Sequence, residues 1–363
     1  MDNLIMTVGT KLVEDYRKEH PEKTDITPGE IVSACEKADP DFLSDSRVSL
    51  EGFALRNLLN KKLFTGKRLF LVVHDSENGK LAANVLEEIT RKYKLSETVE
   101  KKIIYKLNKR NHMDFKVYGL RALIDEINLI INEKVGNRVN VGVCTTGGYK
   151  AEIFTVGMMA QILHVRSYFM FDEFTDVTEI SPFPVRIDYN YYWEHRDFFN
   201  LFQRQDYVDV EKVERYLNED RRLQDFVEKL EIYGKEQYAL SAFGEFYAKI
   251  STDTSHLPRY RNACTPSDKE VILRTDMLQE LDIIVNSLKS SPYVDKLVLT
   301  YFNPDRKATS SRFYLVTNAK NDQIISLEYA CKNGIAGIDI YTAGSTEKEL
   351  RSLVAYFNDS FIY

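Results

Sequence analysis

The sequence is poor in cysteine, with 4 residues in 363, and no two of them form a Cys-x-x-Cys pair. Scattered cysteines exclude a disulfide framework and a structural zinc site of the usual spacing. No run of about 18 apolar residues occurs, so no membrane-spanning helix is expected. The first residues also lack the basic and apolar stretches of a signal peptide. We therefore expect a cytoplasmic protein with no membrane partner.

Positive charge is also scarce, because 49 lysines and arginines stand against 55 aspartates and glutamates, a net charge of −6. Proteins that bind duplex nucleic acid without sequence preference are normally basic, so any such contact here must be local. Hydrophobic residues make up 44% and charged residues 29% of the chain, which excludes the disordered and collagen-like classes. The length suits two or three domains.

Three zones differ in pattern, and we place domain boundaries at 1–190, 191–266 and 267–363. In the first zone, short apolar runs alternate with helical stretches, which is typical of an α/β fold with a parallel sheet and helices on both faces. Ligands of such sheets bind beyond the carboxyl ends of the strands. The predicted strands are Leu4–Val8, Leu69–Val73, Val139–Val143 and Tyr168–Phe171, and the predicted helices are Leu81–Tyr93, Leu120–Ile131 and Ala151–Leu163.

The middle zone is predicted to be mainly helical. Its segments DVEKVERYL and RRLQDFVEKLEIY alternate in charge sign, which indicates a solvated or dimer-forming helix pair. The last zone is predicted to be a small α+β domain. Its predicted elements are a helix over Met277–Leu288, strands over Lys296–Tyr301, Arg312–Thr317, Gln323–Ala330 and Ile338–Thr342, and a terminal helix over Thr346–Phe357.

The most informative segment is TTGGYK, from Thr145 to Lys150, between an apolar strand and an apolar helix. Two glycines let the backbone turn sharply and present N–H groups, and a helix N-terminus adds partial positive charge. With Lys150 this arrangement indicates a phosphate pocket, although an ordinary strand-to-helix turn would have the same residues. The segment is neither a P-loop nor a GxGxxG fingerprint.

Other segments of the first zone have related positions after predicted strands. The first strand ends in Gly9-Thr10, and Leu69–Val73 is followed by HDSENGKLAAN. The segment SDSRVSL, from Ser44 to Leu50, is predicted to be helical, and YFMFDEF precedes SPFP. Three strand ends, each followed by a helix, are expected to converge at one edge of the sheet.

Together these segments resemble the CARF domain, the Rossmann-like CRISPR sensor of cyclic oligoadenylates. The family patterns are a Gly-Ser/Thr turn, SAExxSL, SDTxxGxLAA, NxTGGxK and PxxP, and Ser46 stands where the family has glutamate. The resemblance implies a homodimer, cyclic tetra-adenylate as activating ligand and no cofactor. Some CARF domains also cleave their own ligand, and the resemblance makes Thr10 and Lys150 the suspected residues for that cleavage here. The implied ligand-binding residues are Gly9, Thr10, Thr146, Gly147, Gly148 and Lys150, with Ser76, Glu77 and Asn78 near a base or ribose.

The other two zones resemble modules that accompany CARF domains. Tyr238–Ile250 is similar to the YxLTxxGxxL phrase of winged-helix modules, here expected to be a connector. HEPN ribonucleases need RxxxxxxH on a helix, and the match from Arg68 to His74 lies in a predicted strand. The strand and helix order of the last zone is similar to the RelE-like mRNA interferases, which cleave mRNA on the ribosome without a metal.

This second resemblance implies basic residues that stabilise the scissile phosphate, assisted by tyrosine. Residues 303–332 contain five basic and three acidic residues within an otherwise acidic domain. Two alternatives stay open: a metal-dependent PD-(D/E)xK nuclease using Asp305 or Glu328, and a CARF–winged-helix transcription regulator. The candidate catalytic residues are Arg306, Lys307, Arg312, Lys332 and Tyr341, with Lys320 and Tyr314 as neighbours.

Overall fold

The computed structural model describes residues 1–109, 111–171, 173–185, 187–203, 205–258, 269–272, 278–306, 310–318 and 321–362. Its backbone contacts group residues 1–187 with 241–246 as a first unit, and residues 188–240 with those from 247 onward as a second unit. The three-domain division with boundaries after 190 and 266 stays a prediction. Across the described residues, no helix is long and apolar enough to cross a membrane.

The first unit is built on a sheet whose strands have the order β3-β2-β1-β4-β5-β6. All neighbours in it are parallel except the last pair. The strands are β1 (Asn3–Thr7), β2 (Arg68–His74), β3 (Thr98–Ile104), β4 (Val141–Cys144), β5 (Arg166–Phe169) and β6 (Thr178–Ile180). The helices are α1 (Lys11–Glu19), α2 (Pro28–Ala38), α3 (Leu50–Asn60), α4 (Glu77–Lys92), α5 (His112–Asp114), α6 (Leu120–Asn128) and α7 (Lys150–Ile162). Short 3-10 turns cover Phe42–Ser44 and Arg138–Asn140, and π-helical turns cover Phe115–Gly119 and Leu129–Val135.

The predicted parallel α/β sheet is confirmed. The central strand β1 is buried along its whole length, as expected for a strand covered on both faces. One boundary was wrong, since Val139 lies in a 3-10 turn and is 92% exposed, so β4 begins at Val141. The edge strand β3 escaped prediction because it is mostly polar, and its Glu100 pairs with Arg68.

The second unit holds two further sheets, with the orders β7-β9-β8 and β10-β11-β14-β13-β12. Its strands are β7 (Val208–Asp209), β8 (Val227–Ile232), β9 (Lys235–Leu240), β10 (Glu270–Ile272), β11 (Val294–Asn303), β12 (Arg312–Thr317), β13 (Gln323–Cys331) and β14 (Gly334–Thr342). Its helices are α8 (Tyr189–Glu194), α9 (Arg196–Gln203), α10 (Val210–Glu219), α12 (Leu278–Ser290) and α13 (Glu347–Phe361), while α11 (Ala242–Ser251) crosses the division, and a 3-10 turn covers Arg221–Phe226.

The predicted helix pair of the middle zone was wrong. Only its first half is helical, as α10, whereas RRLQDFVEKLEIY forms the 3-10 turn and strand β8. Strands β8 and β9 form an antiparallel hairpin around Tyr233 and Gly234, which have φ of 51° and 76°. Two consecutive positive φ values are the geometry of a tight hairpin turn, so the Tyr-Gly pair overrides the helical charge pattern.

The strands predicted for the last zone are confirmed as the antiparallel part of the five-stranded sheet. Phe313, Leu327 and Ile338 are fully buried on one face of this sheet. The ring of Phe313 lies 5.3 Å from that of Phe357, so α13 covers that face. The opposite face displays Arg312, Glu328 and other polar residues, because side chains alternate along each strand.

The outer edge of β12 is capped by two asparagines. Asn358 accepts from the backbone N–H of Phe313 at 3.0 Å and donates to its carbonyl at 2.8 Å. Asn190 accepts from Leu315 N–H at 3.0 Å and donates to its carbonyl at 2.9 Å. These side chains occupy backbone groups that a further strand would otherwise pair with.

Candidate functional site

Three strand ends of the first unit meet, as the sequence predicts. Strands β2, β1 and β4 are adjacent, and the hydroxyl of Thr7, the last residue of β1, donates to the Gly147 carbonyl after β4. A Cβ on Gly9 would lie 3.1 Å from Gly148 N, and one on Gly147 would overlap Gly9 N. Only glycine permits this approach of the two turns. The chain order reverses between β1 and β4, which is where open α/β sheets bind their ligands.

Two carboxyl groups already accept hydrogen bonds from backbone N–H groups of these turns. The Gly9 N–H donates to Glu51 Oε1 at 2.8 Å, and the Tyr149 N–H donates to Glu152 Oε2 at 3.3 Å. Gly148 has φ of 110°, a conformation that favours glycine. The pocket therefore differs from a simple cradle of free N–H groups, because part of its donor capacity is used internally.

Glu152 is fully buried in the first turn of α7. Its Oε1 has no hydrogen-bond partner among the residues that the structure describes. Burial raises the pKa of this carboxyl to about 8, so it carries a proton at neutral pH. The group therefore places no negative charge beneath the turn at pH 7.

Glu51 was missed by sequence reasoning. The segment SDSRVSL is not a helix, because a 3-10 turn ends at Ser44 and α3 begins at Leu50 after the cap residue Ser49. It is Glu51, in the first turn of α3, that reaches Gly9, and not a residue at the position of Ser46. The segment SLEGFAL contains the Ser-x-Glu order of SAExxSL five residues further on, and that spacing could have identified it.

An aromatic stack lies beside the glycine turn. The rings of His74 and Tyr149 are 4.2 Å apart and nearly parallel, and the Ser76 hydroxyl lies 2.9 Å from His74 Nδ1. Lys109 Nζ lies 4.7 Å from the centre of the Tyr149 ring. Burial lowers the pKa of His74, which keeps the imidazole neutral. His74 lies in the segment HDSENGKLAAN and Tyr149 in TTGGYK, both of which the sequence pointed to. Lys109 belongs to neither segment, because it follows a different strand, β3.

The remaining predicted ligand residues are placed as follows. Thr10 donates to Glu14 Oε1 at 2.7 Å, and Thr146 is buried with its hydroxyl 3.1 Å from Cys144 Sγ. Ser76 caps α4 by accepting from Gly79 N–H at 3.1 Å. Their role in ligand binding stays a prediction. Glu77 and Asn78 lie in the first turn of α4, and Lys150 is the exposed first residue of α7.

In the second unit, two predicted basic residues converge on one carboxylate. Arg306 Nη1 lies 3.3 Å from Glu328 Oε2, and Arg312 Nη2 lies 3.9 Å from Glu328 Oε1. Arg312 also pairs with Glu194 Oε1 at 3.2 Å. The Tyr301 hydroxyl donates to Glu328 Oε2 at 3.3 Å. The candidate centre of this sheet is therefore the cluster of Glu328, Arg306, Arg312 and Tyr301, which we call the Glu328 cluster.

Not every predicted catalytic residue joins this cluster. Glu328 pairs with Gly337 on β14, and Tyr341 lies four residues further along that strand, about 13 Å away at the usual rise. Lys332 is an exposed residue in the turn between β13 and β14. Lys307 and Lys320 lie outside the described residues. Within the described part of the chain, no group of three histidines, cysteines or carboxylates is placed to hold a metal.

A family model matches part of the chain. Residues 47–183 match the family described as CRISPR-associated protein (Cas_APE2256), a stretch that includes the TTGGYK turn. No curated protein matches the chain. Can2 from Sulfobacillus thermosulfidooxidans, solved in complex with cyclic tetra-adenylate (cA4), shares 7% identity over 90% of this chain and 74% of that chain, at a TM-score of 0.26. A likeness this weak is no guide to function.

Proposed function

We propose that the chain is a CRISPR effector in which a cyclic oligoadenylate, expected to be cyclic tetra-adenylate, activates a ribosome-dependent mRNA endoribonuclease. The observation that carries the sensor half is the meeting of Gly9, Gly147 and Gly148 at the switch point of the sheet. This pocket lies in the unit that contains the CRISPR-associated stretch, residues 47–183.

The chemistry of the pocket suits an adenylate. Lys150 and Lys109 supply positive charge for phosphate, and the helix N-terminus of α7 adds to it. The neutral His74 and Tyr149 rings offer flat surfaces for a purine. We assign the phosphates to the glycine turn and Lys150, and the bases to the side of the aromatic stack.

We also propose that two copies of the chain form the complete sensor. The helix α7 begins at the glycine turn, and its Phe154 is 67% exposed. A Cβ on Gly157, one turn further along, would meet no atom within 4 Å. This small and apolar surface beside the pocket suits a second copy, and a two-fold ligand suits a two-fold site.

For the output half, the proposal rests on Arg306 and Arg312 on the open face of the five-stranded sheet. A phosphorane gains negative charge during RNA cleavage, and positioned guanidinium groups stabilise it. The ribosome would hold the mRNA in a conformation ready for attack by its 2′-hydroxyl. We assign residues 191–266 to a winged-helix connector and residues 267–363 to a RelE-like ribonuclease.

Ligand can activate the ribonuclease only by binding the active state more tightly than the inactive one. A preference of about 100-fold corresponds to roughly 2.7 kcal/mol of coupling free energy. The test is cleavage of one mRNA, free or on purified ribosomes, with and without cyclic tetra-adenylate. We expect cleavage only with both ribosomes and ligand. Metal-dependent cutting of free nucleic acid would favour a PD-(D/E)xK nuclease, and operator binding without cleavage would favour a transcription regulator.

A further inference from the structure

We propose that Glu328 is the general base of the ribonuclease and that Arg306 and Arg312 are its ion-pair partners until the scissile phosphate replaces it. This inference rests on the proposed ribonuclease function. From the sequence, the ribonuclease interpretation used basic residues and a tyrosine, and Glu328 entered only as a metal ligand of the nuclease alternative. The structure places the Glu328 carboxyl group between Arg306 and Arg312.

Glu328 is more deeply buried than the carboxylate of a typical surface ion pair. Its side chain is 9% exposed in the middle of β13, and Arg312 lies directly opposite it on β12. A buried carboxylate costs free energy unless cations and hydrogen bonds compensate, and two guanidinium groups and the Tyr301 hydroxyl do so here. Three partners therefore compensate for the burial of this one carboxyl group.

The distances show that the arginines are not saturated by Glu328. Charge-assisted N–H···O bonds are typically about 2.7–2.9 Å, whereas the two arginine–Glu328 distances are 3.3 and 3.9 Å. Arg312 Nε is buried and has no hydrogen-bond partner among the described residues. In the proposal, an incoming phosphate binds the Nη groups of both arginines, displaces Glu194 and Glu328 from them, and leaves Glu328 beside the ribose.

In the proposed cleavage, the 2′-hydroxyl of the RNA attacks the adjacent phosphate. Glu328 takes the proton of the 2′-hydroxyl while O2′ forms a bond to phosphorus and the P–O5′ bond breaks. The electron pair of that bond goes to O5′, which takes a proton from water, and Glu328 later returns its proton to solvent. The products are a 2′,3′-cyclic phosphate and a 5′-hydroxyl, with Arg306 and Arg312 stabilising the phosphorane charge.

Tyr301 acts as a positioning residue for Glu328. Its ring lies over Gly337, where a Cβ would overlap the ring carbons. Glycine at that position therefore lets the Tyr301 hydroxyl reach Glu328 Oε2. Gly337→Ala is expected to lower the cleavage rate less than loss of Glu328 itself.

The test uses the full chain, ribosomes, mRNA and cyclic tetra-adenylate. Glu328→Gln keeps the shape and the Tyr301 contact but cannot accept a proton, and we expect a rate at least about 10²-fold lower. Glu328→Ala should regain part of its rate with added formate, whereas Arg312→Ala should not. Asp339→Asn, on the same sheet face opposite Ser326, is the matched control and should stay active.

Each outcome decides one question. If the wild-type chain does not cleave ribosome-bound mRNA with ligand, the proposed function fails whatever the variants do. If the wild type cleaves and Glu328→Gln keeps its rate within about threefold, the general base lies elsewhere. Loss of rate with unchanged melting temperature but no formate rescue of Glu328→Ala would also overturn the inference, leaving Glu328 as an anchor for the arginines.

Discussion

The two units each bury a glutamate, and they do so by different means. Glu152 is surrounded by the glycine turn, and burial raises the pKa of its carboxyl to about 8. Glu328 lies between Arg306 and Arg312 and receives a hydrogen bond from Tyr301. The first glutamate is buried beside a backbone N–H group and carries a proton, and the second is buried between two guanidinium groups.

The difference suits what each region is proposed to bind and do. A neutral carboxyl under an anion pocket adds no repulsion toward phosphate. Under our proposal, Glu328 accepts a proton once the arginines bind a substrate phosphate. The proposed roles of the two glutamates therefore differ, since Glu152 stays uncharged and Glu328 takes part in the reaction.

The largest expected effect is on stability, through Glu152→Gln. The carboxyl has a pKa of about 8 in the folded chain against an ordinary 4.5, so the unfolded chain loses this proton first as pH rises. The free energy of unfolding should be highest below pH 4.5 and fall between pH 4.5 and 8, by on the order of 5 kcal/mol. The Gln variant should lack this fall in thermal melting at pH 5 and pH 8.

The exposed Glu97 of the same unit supplies the control for that measurement. Glu97→Gln should melt as the wild type does at both pH values. Parallel pH dependence in wild type and Glu152→Gln would mean that Glu152 is ionised when buried, and the contrast between the two units would be lost.

The next effect is on cleavage, through Arg312→Ala. This change removes one transition-state donor and one of the two cations beside Glu328, and we expect a cleavage rate about 10²-fold lower. Isothermal calorimetry of cyclic tetra-adenylate should show unchanged affinity, because Arg312 lies in the other unit. Normal activity in a triple alanine variant at Arg306, Lys307 and Arg312 would move the active site elsewhere.

A smaller effect is expected on ligand affinity, through Lys150→Ala. A charge-assisted phosphate contact typically contributes about 1.5–3 kcal/mol, or roughly 10- to 100-fold in Kd. Calorimetry measures this directly, with Lys94→Ala, an exposed lysine of the same unit, as the control. Unchanged affinity in Lys150→Ala would contradict the phosphate pocket.

The smallest effect separates the two carboxyls of the pocket. Glu51→Gln keeps an acceptor for the Gly9 N–H but removes a formal charge near the phosphates, so ligand should bind about threefold more tightly. Glu152→Gln should leave the affinity unchanged at pH 7, because that carboxyl is already neutral. Equal effects of the two variants on ligand affinity would show that the Glu51 and Glu152 carboxyl groups have the same ionisation state in the wild type.

The edge of the parallel sheet was easier to predict than the face of the antiparallel one, for a physical reason. The glycine turn is continuous in the chain, and its residues, from Thr145 to Lys150, show their strand-to-helix context directly. The Glu328 cluster forms only when β11, β12 and β13 take their register. Sequence reasoning therefore named Arg306 and Arg312 by local charge and Glu328 as a separate metal-ligand candidate, but it did not predict that the three side chains pair with one another.

Tertiary contacts also explain the other differences. Glu51 approaches Gly9 across 42 positions of the chain, and its only local signal is the Ser-x-Glu order that starts at Ser49. Strand β8 was mistaken for a helix because its alternating charges suit both periods, and the Tyr233-Gly234 turn decides between them. Strands β1, β2 and β4 were predictable because buried parallel strands are continuous apolar runs.

The two asparagines at β12 have a consequence for association. A sheet with an unpaired outer strand can recruit the strand of another chain and seed ordered aggregates. With Asn190 and Asn358 occupying the backbone groups of Leu315 and Phe313, that edge offers no template over these residues. A chain that adds a strand to this sheet therefore cannot pair with β12 at Phe313 and Leu315 unless it displaces both asparagines.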